Sequence, residues 1–362
     1  MPLEQLRAVM AAENVDAVAL MPGSNLRKVT GGTFMVNERP TLIIVPLDGE
    51  PVAIMPTLEV PAFKSLNFSA TLIHWQDADG YQPAFDAAVE IYRPRRLGVE
   101  GQRMRVMEQQ AFYRASPEIE IVDLQAEISQ IRLRKSDAEI DALQAAIDLS
   151  ERALEEVIAN VKVGMTEAEI RARLTITLFE HGSSGIAFGP IVAAGSNAAE
   201  PHAKARQSYR IQLGDALLFD FGGIVDGFNA DITRTFFVGL VSDEDRALYE
   251  AVKKANEIGH ATAGPGVTCH AVDDAVLTYL ESTPQAEYIL HKTGHGLGLD
   301  VHEDPYIMRG NHQILEPGMV FTNEPGLYVP GRLGVRIEDD VLVTPDGTRS
   351  LTSFPKELQI IG

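Results

Sequence analysis

Short apolar runs alternate with helical patterns in the first third of the chain. A strand carries its apolar residues in a short run, whereas a surface helix carries a stripe that recurs every three to four residues. On this basis we predict strands at residues 15–21, 41–45, 51–55, 97–99 and 119–122. Helices are predicted between them at residues 3–14, 58–65, 81–91 and 104–115. The pattern therefore predicts an N-terminal α/β domain, residues 1–132.

A capping box begins a long amphipathic helix just after this domain. Ser-Asp-Ala-Glu at residues 136–139 has the spacing of such a box, and apolar positions at three- and four-residue steps follow it as far as Ile158. A second capping box at residues 166–169 begins another helix, and further helices are predicted at residues 243–263 and 268–282. The segments between them are rich in predicted strands. We therefore predict a second domain, residues 133–362, and an α+β fold class for the chain.

The pattern Gly-x5-(Asp/Glu)-x-Gly occurs twice in these β-rich segments, with its acidic residue at Asp220 and at Glu324. A turn and a second strand follow each copy and carry another acid, Asp231 in the first copy and Glu338 in the second. Each copy is therefore predicted to form a hairpin with one acid per strand. Two such hairpins, each preceded by helices, indicate two related halves within the second domain.

The four acids of these hairpins are candidates for metal binding. Side chains alternate along a strand, so Asp220 lies on the face opposite Phe219 and Phe221 and is expected to be half-buried. Burial of an unpaired carboxylate costs several kcal/mol, so the repeated acids favour a bound cation over a set of solvent-exposed carboxylates. Carboxylates with imidazole suit divalent manganese, cobalt or zinc, and two such ions need about five protein ligands, several of them shared.

Histidines supply the candidate fifth ligand. His291, His295 and His302 fall within twelve residues of one another. Glycine on both sides of His295 permits unusual backbone dihedral angles and leaves space for a ligand beside the imidazole. His202, in a Glu-Pro-His-Ala turn, is a weaker candidate because a single histidine in a turn is commonly an ordinary loop residue.

Composition excludes several classes of function. The net charge of −20 argues against nucleic acid or an anionic membrane as a partner, since both require clustered basic residues. The one cysteine, Cys269, excludes an internal disulfide and a cysteine-based zinc site. The sequence contains no apolar run of about 18 residues, and its start lacks the basic and apolar regions of a signal peptide. A cytoplasmic location is therefore expected.

A set of short motifs resembles the pita-bread metallopeptidases of family M24, of the prolidase and aminopeptidase P type. The motifs are Phe219-Asp-Phe-Gly222, Asp231-Ile-Thr-Arg-Thr235, Gly294-His-Gly296, His302-Glu303, Asn323-Glu-Pro-Gly326 and Arg336-Ile-Glu-Asp339. Residues 25–31 are more weakly similar to the creatinase N-terminal domain. The resemblance implies a C-terminal pita-bread catalytic domain with a smaller N-terminal creatinase-like α/β domain.

The resemblance also implies roles for individual residues. The implied ligands of two divalent metal ions, manganese first with cobalt or zinc as alternatives, are Asp220, Asp231, His295, Glu324 and Glu338. Asp231 and Glu338 bridge the two ions in this assignment. The implied catalytic residues are Glu324, as proton shuttle, with His302 and His202, which steady the peptide carbonyl. The implied substrate-binding residues are His202, His291, His302 and Arg336. Arg336 shares a strand face with Glu338, and it orients that ligand, binds a substrate carboxylate or forms a simple structural salt bridge.

By this resemblance, a hydroxide that bridges the two metals hydrolyses the Xaa-Pro peptide bond, in an Xaa-Pro dipeptidase or an Xaa-Pro aminopeptidase. The implied partner is a small peptide with proline at its second position, and the implied assembly is a homodimer. The same fold also hosts enzymes of non-peptide small molecules, such as ectoine hydrolase and a sulfonium lyase, and this alternative stays open. A non-catalytic binding module is the least favoured hypothesis because the acids and histidines are all intact.

Overall fold

The computed structural model describes residues 2–362 of the chain. Contacts between Cα atoms divide it into two compact units, the first ending at Arg132 and the second spanning Leu133–Gly362. Both units bury their own apolar clusters, so each has a core. Within residues 2–362, every helix is too short or too polar to cross a lipid bilayer.

The first unit is a mixed sheet with helices. Its helices are α1 (Pro2–Ala12), α2 (Ser24–Thr30), α3 (Val60–Lys64), α4 (Gln82–Tyr92), α5 (Val106–Ala115) and α6 (Gln125–Ser129). Its strands are β1 (Ala17–Leu20), β2 (Leu42–Pro46), β3 (Val52–Pro56), β4 (Thr71–Trp75), β5 (Arg96–Val99) and β6 (Glu120–Asp123). They are ordered β4-β3-β2-β1-β5-β6 in the sheet. Strands β1 and β3 each pair antiparallel with β2, and the remaining neighbours are parallel.

The strands and helices predicted for this unit are confirmed, with ends that shift by one or two residues. The sequence did not predict α2, α6 and β4. The two helices have seven and five residues, too few to establish a helical period. Strand β4 lies at the sheet edge and only its last residue, Trp75, is buried, so it lacks a continuous apolar run.

The second unit combines long helices with two larger sheets. The helices are α7 (Asp137–Ile158), α8 (Glu167–Glu180), α9 (Asp243–Thr262) and α10 (Cys269–Glu281). The first sheet and the small hairpin beside it contain β7 (Ile191–Ala194), β8 (Ala216–Phe221), β9 (Ile224–Val225), β10 (Phe228–Asn229) and β11 (Ile232–Val238). The remaining strands are β12 (Gly294–Gly296), β13 (Glu303–Ile307), β14 (Val320–Asn323), β15 (Gly326–Val329), β16 (Leu333–Arg336), β17 (Asp339–Thr344), β18 (Gly347–Ser350) and β19 (Ile360–Ile361).

The predicted helices of this unit are confirmed, and both capping boxes form. The backbone N–H of Ser136 donates to the carboxylate of Glu139 over 2.9 Å at the start of α7. At the start of α8 the hydroxyl of Thr166 accepts from the N–H of Glu169 over 3.2 Å. These contacts satisfy backbone donors that a helix leaves unpaired at its first turn, which is why the helices begin at these residues.

The two acid-bearing segments adopt the same arrangement. Strands β8 and β11 pair antiparallel with the hairpin β9–β10 between them, and strands β14 and β17 pair antiparallel with the hairpin β15–β16 between them. The first pair belongs to the sheet β19-β11-β8-β7, and the second belongs to β13-β12-β14-β17-β18. The two halves therefore match the predicted repeat, although a second small hairpin joins each strand pair where a turn was expected, and only Asp220 of the four acids lies within a strand. The fold class is α+β.

The two sheets meet where the repeated acids lie. The backbone N–H of Glu338 donates to the carbonyl of Thr233 over 3.1 Å and joins the second half to β11. As a result both faces of β8 are buried. The expectation of a half-buried Asp220 was wrong, because its residue exposure is 8%. Alternation within one strand predicts one open face, whereas here the other half of the domain covers it.

Candidate active site

All four repeated acids lie at the ends of strands, where the two halves meet. Asp220 is the penultimate residue of β8, and Asp231 directly precedes β11. Glu324 follows β14, and Glu338 lies in the link between β16 and β17. Asp231 and Glu338 are 4% and 2% exposed, so the acids are buried together with Asp220. Residues more than one hundred positions apart in sequence therefore form one carboxylate cluster.

The ligand atoms of this cluster fall into overlapping groups. Asp220, Asp231 and Glu338 form one group, and His295, Glu324 and Glu338 form another. In each group one atom from every side chain lies within 4.8 Å of the others. The two groups share Glu338, which is the arrangement that two neighbouring cations with a common carboxylate ligand require.

A third group places His302, a candidate for substrate binding, beside the candidate ligands. It contains Asp231, His295 and His302, again with ligand atoms within 4.8 Å of one another. The rings of His295 and His302 contact edge to face, with centroids 4.1 Å apart. His302 therefore contacts the candidate ligand His295 directly. Their separation of seven residues in the sequence did not predict this contact.

The electrostatics of the cluster favour bound cations. Burial, followed by the charges of neighbouring acids, raises the pKa of Asp231 and of Glu338 well above the ordinary range. Burial also raises the pKa of Asp220, although Arg336 opposes it. The atom Oδ1 of Asp220 is buried and has no hydrogen-bond partner among the described residues. A buried carboxylate oxygen has lost its hydrogen bonds to water, and without a protein partner this loss is destabilising. A bound metal ion would offset it.

Glu324 differs from the other acids because it pairs with a histidine. Its Oε1 lies 3.2 Å from Nε2 of His295 and accepts from the hydroxyl of Thr322 over 3.2 Å. Burial alone would raise the pKa of Glu324, but the hydrogen bond and charge of His295 lower it to about 2. The other ring nitrogen of His295, Nδ1, lies 3.0 Å from the carbonyl of Gly296, which can only accept. Nδ1 therefore carries a proton, and Nε2 is directed at the carboxylates.

The glycines around His295 serve close packing. We expected them to permit unusual dihedral angles, but neither Gly294 nor Gly296 has a positive φ. A Cβ atom on Gly294 would lie 1.8 Å from the carbonyl oxygen of Thr322, and one on Gly296 would lie 2.1 Å from that of Asp304. Glycine is required because β12 is pressed between its neighbours in the sheet. Because Gly294 and Gly296 have no Cβ atoms, β12 can approach β14 closely and hold His295 beside it.

Arg336 contacts Asp220, and a hydroxyl contacts Glu338. The guanidinium donates to Oδ2 of Asp220, to the hydroxyl of Thr233 over 3.0 Å and to that of Tyr328 over 2.7 Å. Glu338 instead accepts from Thr233 over 2.5 Å. The hydroxyl of Tyr328 lies 2.7 Å from Nε2 of His291, so one hydrogen-bonded chain joins Asp220 to His291. Sequence analysis missed Tyr328, because a tyrosine in a strand is typical of any buried sheet.

The four acids, the histidines and Arg336 line one cavity of about 670 Å³ within the second unit. Every site residue predicted from the sequence lies in its wall, including His202, which is exposed at the rim. The remaining wall residues are largely apolar. They are Phe188, Ile191, Pro201, Leu290 and Val301, with the charged residues Glu200 and Lys292. An apolar cavity with a few convergent polar groups and shifted pKa values is typical of an enzyme active site.

A second buried ionic group supports the backbone of Glu338. Its neighbour Asp339 points away from the cavity and accepts from Arg234 over 2.7 Å and from Lys356 over 2.8 Å, with Nε2 of His260 2.9 Å away. Burial alone would raise the pKa of Asp339, but the charge of Arg234 and the bond to His260 lower it below the ordinary range. Both Asp339 and Arg234 are almost fully buried.

Substitution of Asp339 by asparagine is expected to reduce the free energy of unfolding by about 3–5 kcal/mol at pH 7, because buried Arg234 loses its counter-charge. The lowered pKa means that this contribution is present above the ordinary pKa of about 4 and is lost as pH falls through the folded-state value. Urea unfolding at several pH values tests it. Asp346→Asn, in the exposed turn between β17 and β18, is the control and should change stability by less than about 0.5 kcal/mol. Equal stability of the two variants would contradict the prediction.

Comparison with protein families gives two matches that together cover most of the chain. Residues 141–345 match the metallopeptidase family M24, and residues 2–134 match the creatinase/prolidase N-terminal domain.

Individual proteins are similar over nearly their whole length. The probable dipeptidase PepE of Mycobacterium tuberculosis is 32% identical, with 98% of this chain and 95% of that protein covered. The structure of an Xaa-Pro dipeptidase from Bacillus anthracis is 29% identical with a TM-score of 0.92, and 99% of each chain is covered. The structure of an X-Pro aminopeptidase from Thermotoga maritima is 29% identical with a TM-score of 0.85, covering 98% of this chain and 100% of that one.

Proposed function

Because this chain belongs to metallopeptidase family M24, we propose that it hydrolyses the Xaa-Pro bond of small peptides with the help of two divalent metal ions. One observation carries the proposal: two ligand groups that share Glu338 line a single cavity that also offers apolar side chains. Similarity to an Xaa-Pro dipeptidase and an X-Pro aminopeptidase supports the choice of substrate. Manganese as the native metal, a cytoplasmic location and a homodimer are further parts of this proposal that rest on the family resemblance.

The donor set suits two divalent ions. Asp220, Asp231 and Glu338 would hold one ion, and His295, Glu324 and Glu338 the other, with Asp231 as a second bridging carboxylate. When bound, such ions polarise a peptide carbonyl and make water a nucleophile at neutral pH. The neighbours of the ligands hold their orientation: Thr233 bonds Glu338, and Arg336 bonds Asp220. We assign the catalytic domain to residues 133–362.

Glu324 is assigned as the proton shuttle. As a ligand of a bound cation its carboxylate would be ionised at neutral pH, and it could then accept a proton from the attacking water and deliver it to the leaving proline nitrogen. The hydrogen bond from the hydroxyl of Thr322 to its carboxylate and that from its backbone N–H to the carbonyl of Thr293 are the contacts that fix Glu324 at the cavity wall. A mobile carboxylate would have to be ordered in the transition state, and these contacts remove that cost.

The histidines of the cavity are assigned to the substrate. Burial, with the charge of His295, lowers the pKa of His302 to about 4, so its imidazole is neutral at pH 7. Burial also lowers the pKa of His291. Neutral imidazoles can donate one hydrogen bond to a peptide carbonyl without adding a positive charge beside the metal ions. We assign this role to His302, together with His202 at the rim, and we assign His291 and Arg336 to the same cavity as further substrate-binding residues.

The preference for proline follows from the chemistry of the bond. An Xaa-Pro amide has no N–H and a fixed ring, so a site that binds an extended chain through that N–H cannot hold it. The wall of this cavity offers Phe188, Ile191, Leu290 and Val301 as apolar contacts for the two side chains. A site of this kind selects by shape and apolar contact rather than by the missing hydrogen bond.

A substrate panel tests the proposal. Manganese-loaded protein should cleave Ala-Pro and Leu-Pro and leave proline-free dipeptides intact, and a chelator should abolish cleavage. Cleavage of dipeptides alone indicates a dipeptidase, whereas cleavage of Xaa-Pro-Yaa peptides indicates an aminopeptidase. If the protein holds metal yet cleaves no member of the panel, the peptidase proposal is wrong and a non-peptide small molecule becomes the substrate to seek.

A further inference from the structure

A buried ion pair lies below the chain segment that ends in His302. Nζ of Lys135 lies 2.7 Å from Oε1 of Glu303, and the two side chains are 2% and 4% exposed. Lys135 precedes α7, whereas Glu303 begins β13, 168 residues later. Removing a lysine and a carboxylate from water is costly, so such a pair is retained only where its geometry is well defined.

The pair closes a loop that we call the His302 loop, residues 297–302. The N–H of Gly298 donates to the carbonyl of Asp300 over 2.9 Å, so the loop folds back on itself. Glu303 turns beneath it and contacts the N–H of Asp300 through Oε2 at 3.4 Å. A Cβ atom on Gly298 would lie 2.9 Å from Oε1 of Glu303 and 3.1 Å from Cε of Lys135. The loop backbone therefore rests directly on the ion pair.

Lys135 itself is held firmly. Its backbone N–H donates to the carbonyl of Gly318 over 2.8 Å, and Nζ also contacts the carbonyl of Leu133 at 3.4 Å. On the other side of the loop, Asn229 donates through its side chain to the carbonyl of Gly298 over 2.8 Å. Asn229 thus holds the His302 loop through neutral hydrogen bonds, whereas Lys135 acts on it through the ion pair with Glu303.

We propose that Lys135 is a positioning residue for catalysis, which acts through Glu303 to hold His302 against His295. Lys135 lines no part of the cavity wall described above, so it does not touch substrate. The inference rests on the proposed function, in which His302 contacts the peptide carbonyl. Without the lysine, the buried carboxylate of Glu303 would lose its counter-charge at 2.7 Å, and the carboxylate and the loop that packs on it would shift.

A double-mutant cycle tests the proposal on manganese-loaded full-length protein with an Xaa-Pro dipeptide. Lys135→Met should lower kcat by about 10-fold, with KM changed by less than about 2-fold and metal content unchanged, as for other residues that orient a site. In a His302→Ala background the same substitution should lower kcat by less than about 2-fold, because the group through which Lys135 acts is already gone. Arg134→Met is the matched control, since the adjacent Arg134 pairs with Glu316 at the surface. It should remain within about 2-fold of the wild type.

Two outcomes overturn the proposal: wild-type kcat in Lys135→Met, or an equal loss of kcat with and without His302. If Lys135→Met does not fold, Glu303→Gln, which breaks the same ion pair from the other side, enters the cycle in its place with the same expectations. The side-chain NMR signal of His302 in zinc-loaded protein provides a readout without turnover. It should shift in the Lys135 variant and not in Arg134→Met, and an unchanged signal in both overturns the proposal. An inactive wild type would contradict the proposed function, while this signal would still decide the role of Lys135.

Discussion

Replacing Asp231 with alanine is expected to release one or both metal ions and to lower turnover by at least about 10³-fold, since several kcal/mol of transition-state stabilisation depend on them. Asp231 lies within ligand distance of Asp220 and Glu338 and, in a separate group, of His295. It is therefore assigned to both metal positions. Metal content by atomic spectroscopy and kcat on Ala-Pro, measured on the same sample, test the expectation. The same result is expected for Glu338→Ala.

His302→Ala is the matched comparison, because its imidazole adjoins that of His295 but is assigned to the substrate. This variant should retain both ions and lose about 10²- to 10³-fold in kcat, as expected for a group that assists at the reacting carbonyl. Retention of both ions and full rate in Asp231→Ala or Glu338→Ala would contradict the bridging assignment. Loss of an ion from His302→Ala would instead make His302 a ligand.

Removal of the metals is expected to destabilise the protein, and more strongly as pH rises. In the metal-free protein, burial and mutual repulsion raise the pKa of Asp231 and Glu338 well above the ordinary range. Groups with a raised folded-state pKa contribute stability below the unfolded pKa of about 4, and that contribution is lost as pH rises through the folded-state value. Bound cations remove the repulsion and bind more tightly as the ligands deprotonate.

Thermal unfolding with and without manganese at pH 5 and pH 8 measures this effect. At about 1,000 times the dissociation constant, metal adds roughly 4 kcal/mol to the free energy of unfolding, so the Tm difference should be several degrees and larger at pH 8. Asp231→Asn is the control: manganese should stabilise it much less. In chelator at pH 8 it should be more stable than the wild type, because one of the repelling charges is gone. A manganese-induced Tm shift that shrinks with pH would contradict this account of the cluster.

Local signals in the sequence determined much of the second domain. The helices at Ser136 and Thr166 begin where predicted, because capping boxes and apolar stripes act within a few residues. The repeated spacing of the acids likewise indicated two related hairpins, and the structure places two antiparallel strand pairs there. The acids, the histidines and Arg336 of the cavity wall could be named because their motifs are short and contiguous, whereas the apolar wall residues could not.

Long-range packing decided the rest. Whether Asp220 is exposed depends on the second half of the domain, which covers its strand, and no property of β8 alone reveals that. Arg336 shares a strand face with Glu338 in the sequence pattern, yet its guanidinium reaches Asp220, 116 residues away. No sequence pattern near Lys135 predicts its role, because that role depends on the ion pair with Glu303. Helix caps, hydrophobic periodicity and motif spacing depend on residues that are close together in the sequence. Ion-pair partners and burial are decided only when distant segments pack together.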